Sequence, residues 1–432
     1  MSLKAESFGV DAVPSTSRTR GWFSLFAIYA GINVCLPMMM MGGIFLPGLS
    51  FKQAILVGLI GNTVAAAIIS LTGYPGADHG LPVSVLTRSS LGFPSGTWIA
   101  SLAITVSGVG WFAFQAELAG LAADGVLERM SGFSSPILMI CAMGALNVVI
   151  AVMGFGWIQK LANLAVPVLV VFSGVLFWKI ASEHPFWEVV NRPGDGSLTF
   201  LAGMNIMVSG QFTAAFTSSD LSRYSRDHRS LWLGIWTGLV PVSALMIGLG
   251  ALSRLVSGEW NPVLGVQQLG LGIPALLLII FATWTTNDKN LYSGGLALTN
   301  VFPGRSRAFH TLVLGILGTT LGCFGITRYL AQFLVTLGII FAPLVGVLLA
   351  DYFLVRARRP ALEDLYQKDG RYHYSRGVNL AALIAIAVGV VAGRLAPPEM
   401  IQPIVSLIVT MVVYSGGMRL LYPLQFRVEA ST

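Results

Sequence analysis

Apolar stretches of roughly 20 residues recur along this 432-residue chain from Trp22 to Leu421, and short polar segments separate them. Each stretch is long enough to cross the roughly 30 Å hydrocarbon core of a bilayer as an α-helix. Only 10% of the residues are charged, against about 25% in soluble domains, and the mean hydropathy is +0.75. The sequence therefore predicts an all-α integral membrane protein and excludes an ordinary water-soluble one.

The boundaries of the apolar stretches predict about twelve transmembrane helices. They fall near residues 22–46, 51–72, 96–122, 136–155, 158–181, 198–217, 230–256, 272–300, 308–327, 329–354, 378–394 and 401–421. Most Lys and Arg residues then lie in segments that are cytoplasmic if both termini are inside, which is the usual bias of cytoplasmic loops. We expect a plasma membrane protein, in a bacterium the inner membrane, with cytoplasmic N- and C-termini.

The same topology accounts for the excess of basic residues that gives the net charge of +7 and the pI near 9.4. Because the basic residues are scattered between the helices, they form no stripe that would bind nucleic acid. Three cysteines, Cys35, Cys141 and Cys323, lie in apolar stretches without the spacing of metal ligands, and we expect them to be buried and without a functional role. No cofactor is expected.

Two predicted spans contain residues that interrupt helices. The first has Gly31, Pro37, Gly42 and Gly43, and the sixth has Gly203, Asn205, Ser209 and Gly210. Interrupted helices at corresponding positions of two halves indicate an inverted-repeat transporter, since unwound backbone can bind an ion or a substrate. The alternative is that these glycines only permit close helix packing. The first interpretation predicts an inverted five-plus-five repeat with two extra helices and with helices 1 and 6 broken.

On this interpretation the chain divides into five segments: a cytoplasmic N-terminal segment (1–21), a ten-helix core (22–354), a cytoplasmic loop (355–377), two additional helices (378–421) and a cytoplasmic tail (422–432).

Polar side chains at membrane depth are costly, so each needs a partner, a cavity or a function. The densest cluster is in the eighth span, from Thr283 to Asn290. The adjacent hydroxyls of Thr285 and Thr286 can supply hard oxygen ligands to a small cation, and the amide of Asn287 can bind a polar substrate edge. The alternative is structural: threonines can hydrogen-bond to their own helix, and Asp288 and Lys289 can neutralise each other.

In the third span, Ser107, Trp111 and Gln115 interrupt apolar sequence, and Trp111 and Gln115 share a helix face by their i, i+4 spacing. An indole can stack on a planar heterocycle while the glutamine donates and accepts at the edge of the ring. Glu117 is either a proton site or paired within the bundle. In the sixth span, Gln211 and Phe212 follow the expected break at Ser209-Gly210.

Several strings between the second and tenth spans are shared with a known family: Gly48-Leu49-Ser50, Leu59-Ile60-Gly61-Asn62, Val109-Gly110-Trp111-Phe112, Trp284-Thr285-Thr286-Asn287-Asp288, Leu291-Tyr292 and Ala350-Asp351-Tyr352. In these strings the chain resembles the nucleobase:cation symporter family, which includes cytosine permease and bacterial hydantoin permease. The resemblance implies an inverted five-plus-five repeat with two added helices, and import of bases or related rings with Na⁺ or H⁺.

The resemblance also implies roles for single residues. A sodium site would comprise the hydroxyls of Thr285 and Thr286 and the backbone carbonyls of Gly31, Val34 and Ala282. Trp111 would stack on the substrate, and Asn287 would hydrogen-bond the ring.

The chain departs from the cytosine permeases at two positions. Gly108 stands where they have glutamine, and Gly210-Gln211 stands where they have Ser-Phe. Gln115 instead matches the hydantoin branch.

We therefore predict that the chain is no enzyme but a secondary active transporter, importing a small planar nucleobase-like compound by symport with Na⁺ or H⁺. The predicted substrate contacts are Ser107, Trp111, Gln115, Gln211, Phe212 and Asn287. The expected partners are the substrate, the cation and the lipid bilayer.

An amino-acid:cation symporter of the same fold is the alternative, and it would hold a carboxylate at exposed helix N-termini. A channel would spread polar positions along several spans, whereas these concentrate in spans three, six and eight.

Overall fold

The computed structural model describes residues 11–153 and 170–426, which are mostly helical and form no β-sheet. The helices of the first half are α1 (Trp22–Asn33), α2 (Leu36–Phe45), α3 (Phe51–His79), α4 (Val83–Leu91), α5 (Ser95–Ser131), α6 (Pro136–Met153), α7 (described over 170–183) and α8 (Phe186–Val190). Those of the second half are α9 (Phe200–Phe216), α10 (Ser218–Ser222), α11 (His228–Ser257), α12 (Pro262–Gln268), α13 (Gly272–Val301), α14 (Arg307–Cys323), α15 (Leu330–Leu349), α16 (Leu380–Leu395), α17 (Gln402–Leu421) and α18 (Pro423–Phe426). A π-helical turn, Ala350–Val355, continues α15.

The predicted spans fall on these helices, except that much of the fifth span, 158–181, lies outside the described residues. By length and composition alone, five described helical segments could cross a membrane, and the bent pair of α1 and α2 would be a sixth. Three shorter apolar helices, α6, α9 and α16, match other predicted spans. The sequence did not predict α4, α8, α10, α12 and α18, because each is too short to produce a helical pattern.

The first span is interrupted as predicted. α1 and α2 meet at 58°, and the two residues between them, Val34 and Cys35, leave the helical conformation. Pro37 at the start of α2 favours a new helix there, because proline lacks the N–H that would continue the α1 hydrogen-bond pattern. The side chain of Asn33 supports the break: its Nδ2 donates to the Tyr29 carbonyl at 2.7 Å, and its Oδ1 accepts from Ser243 at 2.9 Å.

The sixth span is divided at a different place from the one predicted. Gly203, Asn205, Ser209 and Gly210 all lie inside the continuous helix α9, and the interruption occurs at Thr217, between α9 and α10. Gly210 packs closely on Met41 and Leu334, so its lack of a side chain serves helix contact. Three serine hydroxyls hold α10 on the carbonyls of α3: Ser218 on Ile69, Ser219 on Thr72 and Ser222 on Gly73.

Most of the long helices belong to two packed groups. The first group comprises α1, α2, α3, α9 and α11. Glycine allows its backbones to approach very closely: a Cβ atom added to Gly250 of α11 would lie 1.8 Å from the carbonyl oxygen of Met39 on α2. A Cβ added to Gly42 would lie 2.0 Å from the Ile247 carbonyl oxygen.

The second group comprises α5, α6, α13 and α14, with α13 packed along α5. A Cβ added to Gly108 of α5 would lie 2.9 Å from the Asn290 carbonyl oxygen on α13. The first group contains predicted spans one, two, six and seven, and the second contains spans three, four, eight and nine. Each group thus takes corresponding spans from two halves of the core. Each repeat has five spans, and successive spans cross the membrane in alternate directions. Because five is an odd number, corresponding spans of the two repeats run in opposite directions, as an inverted five-plus-five repeat requires.

The cysteines differ from the expectation of burial. Cys141 is exposed, and Cys35 and Cys323 are half-buried. The sulfurs of Cys141 on α6 and Cys323 on α14 lie 3.7 Å apart within the second group. Burial was wrongly expected because an apolar span predicts depth in the membrane and not which face of the helix contacts lipid.

Gly250 provides a test of the first group. We expect Gly250→Ala to lower the apparent melting temperature of the detergent-solubilised protein, since overpacking costs about 1–3 kcal/mol. Gly416 on α17 is the matched control, because nothing lies within 4 Å of an added Cβ there. Gly416→Ala should be neutral or slightly stabilising, since alanine favours helix over glycine. Equal melting temperatures for the two variants would contradict this packing.

Candidate functional site

One face of α5 carries three of the predicted substrate contacts. Ser107, Trp111 and Gln115 follow at four-residue intervals and therefore lie on the same side of the helix. Ser107 and Gln115 are buried, with 2% and 4% exposure, whereas Trp111 is only half-buried. The long continuous helix and its packing against α13 fix the direction of this face.

Two phenylalanines position the Trp111 indole. The Phe333 ring meets it edge-on at a centroid distance of 5.4 Å, and Phe114 lies at 6.5 Å. A Cβ added to Gly110 would lie 2.3 Å from the Phe333 ring, so glycine at this position makes room for the aromatic contact. The indole is thus held by ring contacts while part of its surface stays accessible for stacking.

Asn287 of α13 lies against the same helix. Its side chain is fully buried, and its Nδ2 donates to the Phe112 carbonyl at 3.2 Å. Among the described residues, its Oδ1 has no hydrogen-bond partner. Such orphaned buried acceptors are uncommon in folded proteins, and a ligand donor would satisfy this one. The hydrogen bond to Phe112 brings the predicted residues of spans three and eight together.

Helix α9 approaches the α5 face at Thr213. The hydroxyls of Ser107 and Thr213 lie 3.3 Å apart, which joins the second group to the first. Thr213 was not among the predicted contacts, although it directly follows the predicted contacts Gln211 and Phe212.

Gln211 and Phe212 are both buried on α9, with 6% and 1% exposure. The Nε2 of Gln211 donates to Oδ1 of Asn62 on α3 at 3.0 Å. The structure therefore places Gln211 at the contact between α9 and α3, and its role as a substrate contact stays a prediction, as does that of Phe212. Asn62 was not among the predicted contacts, and the shared Gly61-Asn62 string was its only signal in the sequence.

The candidate cation ligands lie on two elements. At the break between α1 and α2, the Cys35 N–H donates to the Asn33 carbonyl and not to Gly31, and the Met38 N–H donates to Cys35 and not to Val34. The carbonyls of Gly31 and Val34 thus lose their usual helical donors. Ala282, Thr285 and Thr286 lie within α13, but their side chains are outside the part of the chain that the structure describes.

Oxygen donors of this kind suit a hard cation such as Na⁺, with carbonyl and hydroxyl ligands. Within residues 11–153 and 170–426, no cluster of three or more His, Cys, Asp or Glu side chains could hold a metal ion.

Glu117 is paired within the bundle. It is buried, its Oε1 accepts from the Thr327 hydroxyl at 2.6 Å, and its Oε2 accepts from the Thr327 N–H at 2.8 Å. The carboxylate joins α5 to the turn that precedes α15. The side chains of Asp288 and Lys289 lie outside the described residues.

Nearly the whole chain is similar to known membrane permeases. Residues 12–422 match the family described as permeases for cytosine/purines, uracil, thiamine and allantoin. A hydantoin permease of Microbacterium maritypicum is 29% identical, with 94% of this chain and 88% of that protein covered. A cytosine permease of Escherichia coli strain K12 is 27% identical, with 90% of each chain covered.

Solved transporter structures are also similar to this chain over nearly its whole length. Mhp1 in an inward-facing conformation has a TM-score of 0.90 at 26% identity, covering 99% of this chain and 97% of that one. Mhp1 closed around bromovinylhydantoin, a nucleobase-cation-symport-1 family transporter, has a TM-score of 0.85 at 26% identity, covering 99% and 98%. A Na⁺-coupled sialic acid symporter, at 13% identity and a TM-score of 0.63, shares the fold alone.

A family match over nearly the whole chain, together with these two groups of helices, settles the class of the protein: it belongs to the nucleobase:cation symporter family of permeases and is an integral membrane transporter, not an enzyme.

Proposed function

We propose that this permease imports a small, planar, neutral ring with amide groups, such as a hydantoin, a pyrimidine or a purine base, by symport with Na⁺. It acts in the plasma membrane, in a bacterium the inner membrane, with both termini in the cytoplasm. The observation that carries the proposal is the unsatisfied buried Oδ1 of Asn287, whose amide bonds to the carbonyl of Phe112, next in sequence to the half-buried indole of Trp111.

The α5 face and Asn287 of α13 together suit a flat ring. Stacking on Trp111 binds the face of the ring, while amides bind its edge. Because Nδ2 of Asn287 is committed to the Phe112 carbonyl, the Oδ1 that remains would accept from a ring N–H. Gln115, one helical turn from Trp111, is the second edge-reading amide of the proposal.

The substrate class draws on the relatives. The similar protein from Microbacterium maritypicum is called a hydantoin permease, and one Mhp1 structure is closed around bromovinylhydantoin. Hydantoins are therefore the first compounds to test, before the bases. A thermal-shift screen of the purified protein should include hydantoins, bases, allantoin, thiamine-precursor pyrimidines and amino acids. A ligand that binds only the folded state raises its apparent stability, and stabilisation by amino acids alone would favour the amino-acid carrier.

The proposed sodium site combines Gly31, Val34 and Ala282 carbonyls with the hydroxyls of Thr285 and Thr286. It is supported by the redirected hydrogen bonds at the break of the first span, which free carbonyl oxygens beside α2. Placing ion ligands on both groups of helices would couple cation binding to their relative position.

Sodium coupling gives a direct prediction. We expect Na⁺ to strengthen substrate binding about tenfold, and Thr286→Ala to remove most of this effect, because a hydroxyl ligand is lost. Competition binding in Na⁺ and choline buffers measures it. Thr320→Ala is the control, since Thr320 on α14 is exposed and its hydroxyl bonds to its own helix at Ile316. Coupling must be reciprocal, so substrate should strengthen Na⁺ binding by the same factor. Equal affinities in the two buffers would rule out sodium and favour a proton.

Ring binding gives a second prediction. Trp111→Ala and Asn287→Ala should each weaken substrate binding about 10- to 100-fold and abolish most uptake, because base stacking and a buried hydrogen bond are each worth about 1–3 kcal/mol. Both variants should still insert and fold. Trp98→Ala is the matched control on the same helix, since Trp98 is 46% exposed away from this face. Wild-type uptake by a correctly inserted Trp111→Ala protein would move the site elsewhere.

A further inference from the structure

The Gly61-Asn62 string of α3 takes no direct part in the proposed site, yet it lies behind Gln211. We propose that Asn62 is a positioning residue that fixes the orientation of the Gln211 amide, so that Gln211 offers its carbonyl oxygen to an N–H of the transported ring. The inference rests on the proposed function, because it assigns a specificity to the same site.

Gly61 brings the two helices together. A Cβ added to Gly61 would lie 2.7 Å from Cγ of Met207 on α9, so a larger residue would push α9 away. Met207 and Gln211 are one turn apart and face α3 together. The close approach at Gly61 lets the short Asn62 side chain reach Gln211.

The direction of the hydrogen bonds is determined by the backbone. Nδ2 of Asn62 donates to the Gly58 carbonyl at 2.7 Å, and a carbonyl can only accept. Oδ1 of Asn62 must therefore point the other way, towards Nε2 of Gln211 at 3.0 Å. Asn62 is fully buried and Gln211 is 6% exposed, so water competes little for these groups. An amide that could otherwise flip is held in one orientation.

The consequence concerns ligand chemistry. With Nε2 held by Asn62, the Oε1 of Gln211 has no partner among the described residues. It is an acceptor, and it suits a ring with an N–H at that edge, as in a lactam or imide. If Asn62 were apolar, the Gln211 amide could flip, and discrimination between N–H and N-methyl rings would fall.

The test compares a 5-substituted hydantoin with its 1-methyl and 3-methyl analogues in a competition binding assay on the full-length protein. For wild type we expect a preference of about tenfold or more for the unmethylated ring over one of the analogues. Gln211→Leu and Asn62→Leu should each reduce this ratio towards one. The double variant should reduce it no further, because both changes remove the same interaction.

Asn147→Leu is the matched control. Asn147 of α6 is also fully buried, and its Nδ2 also donates back to its own helix, to Met143 at 2.8 Å. It should leave the ratio unchanged even if stability falls. If Asn62→Leu does not fold, Asn62→Ser replaces it, because the serine hydroxyl is one bond too short to hold Gln211.

Three results would overturn the proposal. If Asn62→Leu kept the wild-type preference for the unmethylated ring while Gln211→Leu lost it, Gln211 would need no positioning by Asn62. If Asn62→Leu weakened the binding of all three compounds by the same factor, Asn62 would be only structural. An unchanged ratio in Gln211→Leu would remove Gln211 from the site while leaving the transport of rings intact. Failure of the wild type to bind any ring compound would instead contradict the proposed function itself.

Discussion

The interruption of the first span at Val34 and Cys35 constrains much of this structure. Backbone groups that leave a helix inside a membrane are tolerated only where protein encloses them or where they line a cavity. Here α2 is enclosed by α11, and the contact is close enough that Gly250 and Gly42 leave no room for a side chain. The hydrogen bond from Ser243 to Asn33 then ties the break to the same helix. The packing of the first group follows from the need to enclose this break.

The second group is organised around α5. Its length lets one face carry Ser107, Trp111 and Gln115 while α13 packs alongside and presents Asn287. Glu117 further along the same helix holds the turn before α15 through Thr327. The candidate site lies where the second group meets the first group, which contains the break. The contact between Ser107 and Thr213 crosses this boundary, and rocking of one group against the other would make or break it.

The Asn62–Gln211 pair illustrates how buried amides acquire direction. An isolated amide can present its donor or its acceptor, but a backbone carbonyl at one end of a chain of amides removes the choice. Asn33 and Asn147 bond back to their own helices in the same way, to Tyr29 and Met143. Asn33 also bonds to another helix, where it accepts from Ser243 of α11, but of the three asparagines it is Asn62 that bonds to a predicted substrate contact, Gln211.

The sequence and the tertiary structure determined different features of this protein. The run of apolar stretches determined the long helices and nearly all their positions, because the bilayer sets the length of a span. Pro37 beside Gly31 located the first break, since proline acts on its own backbone. The stripe of Ser107, Trp111 and Gln115 was also visible, because helical periodicity alone puts the three on one face. Only the tertiary structure decided that Gly210 is a helix contact and that the sixth span is interrupted at Thr217. It also decided that Glu117 is paired with Thr327, and that Gln211 is held by Asn62. The partners of Gly210, Glu117 and Gln211 lie on other elements of the fold, and one sequence does not reveal which elements the packing brings into contact.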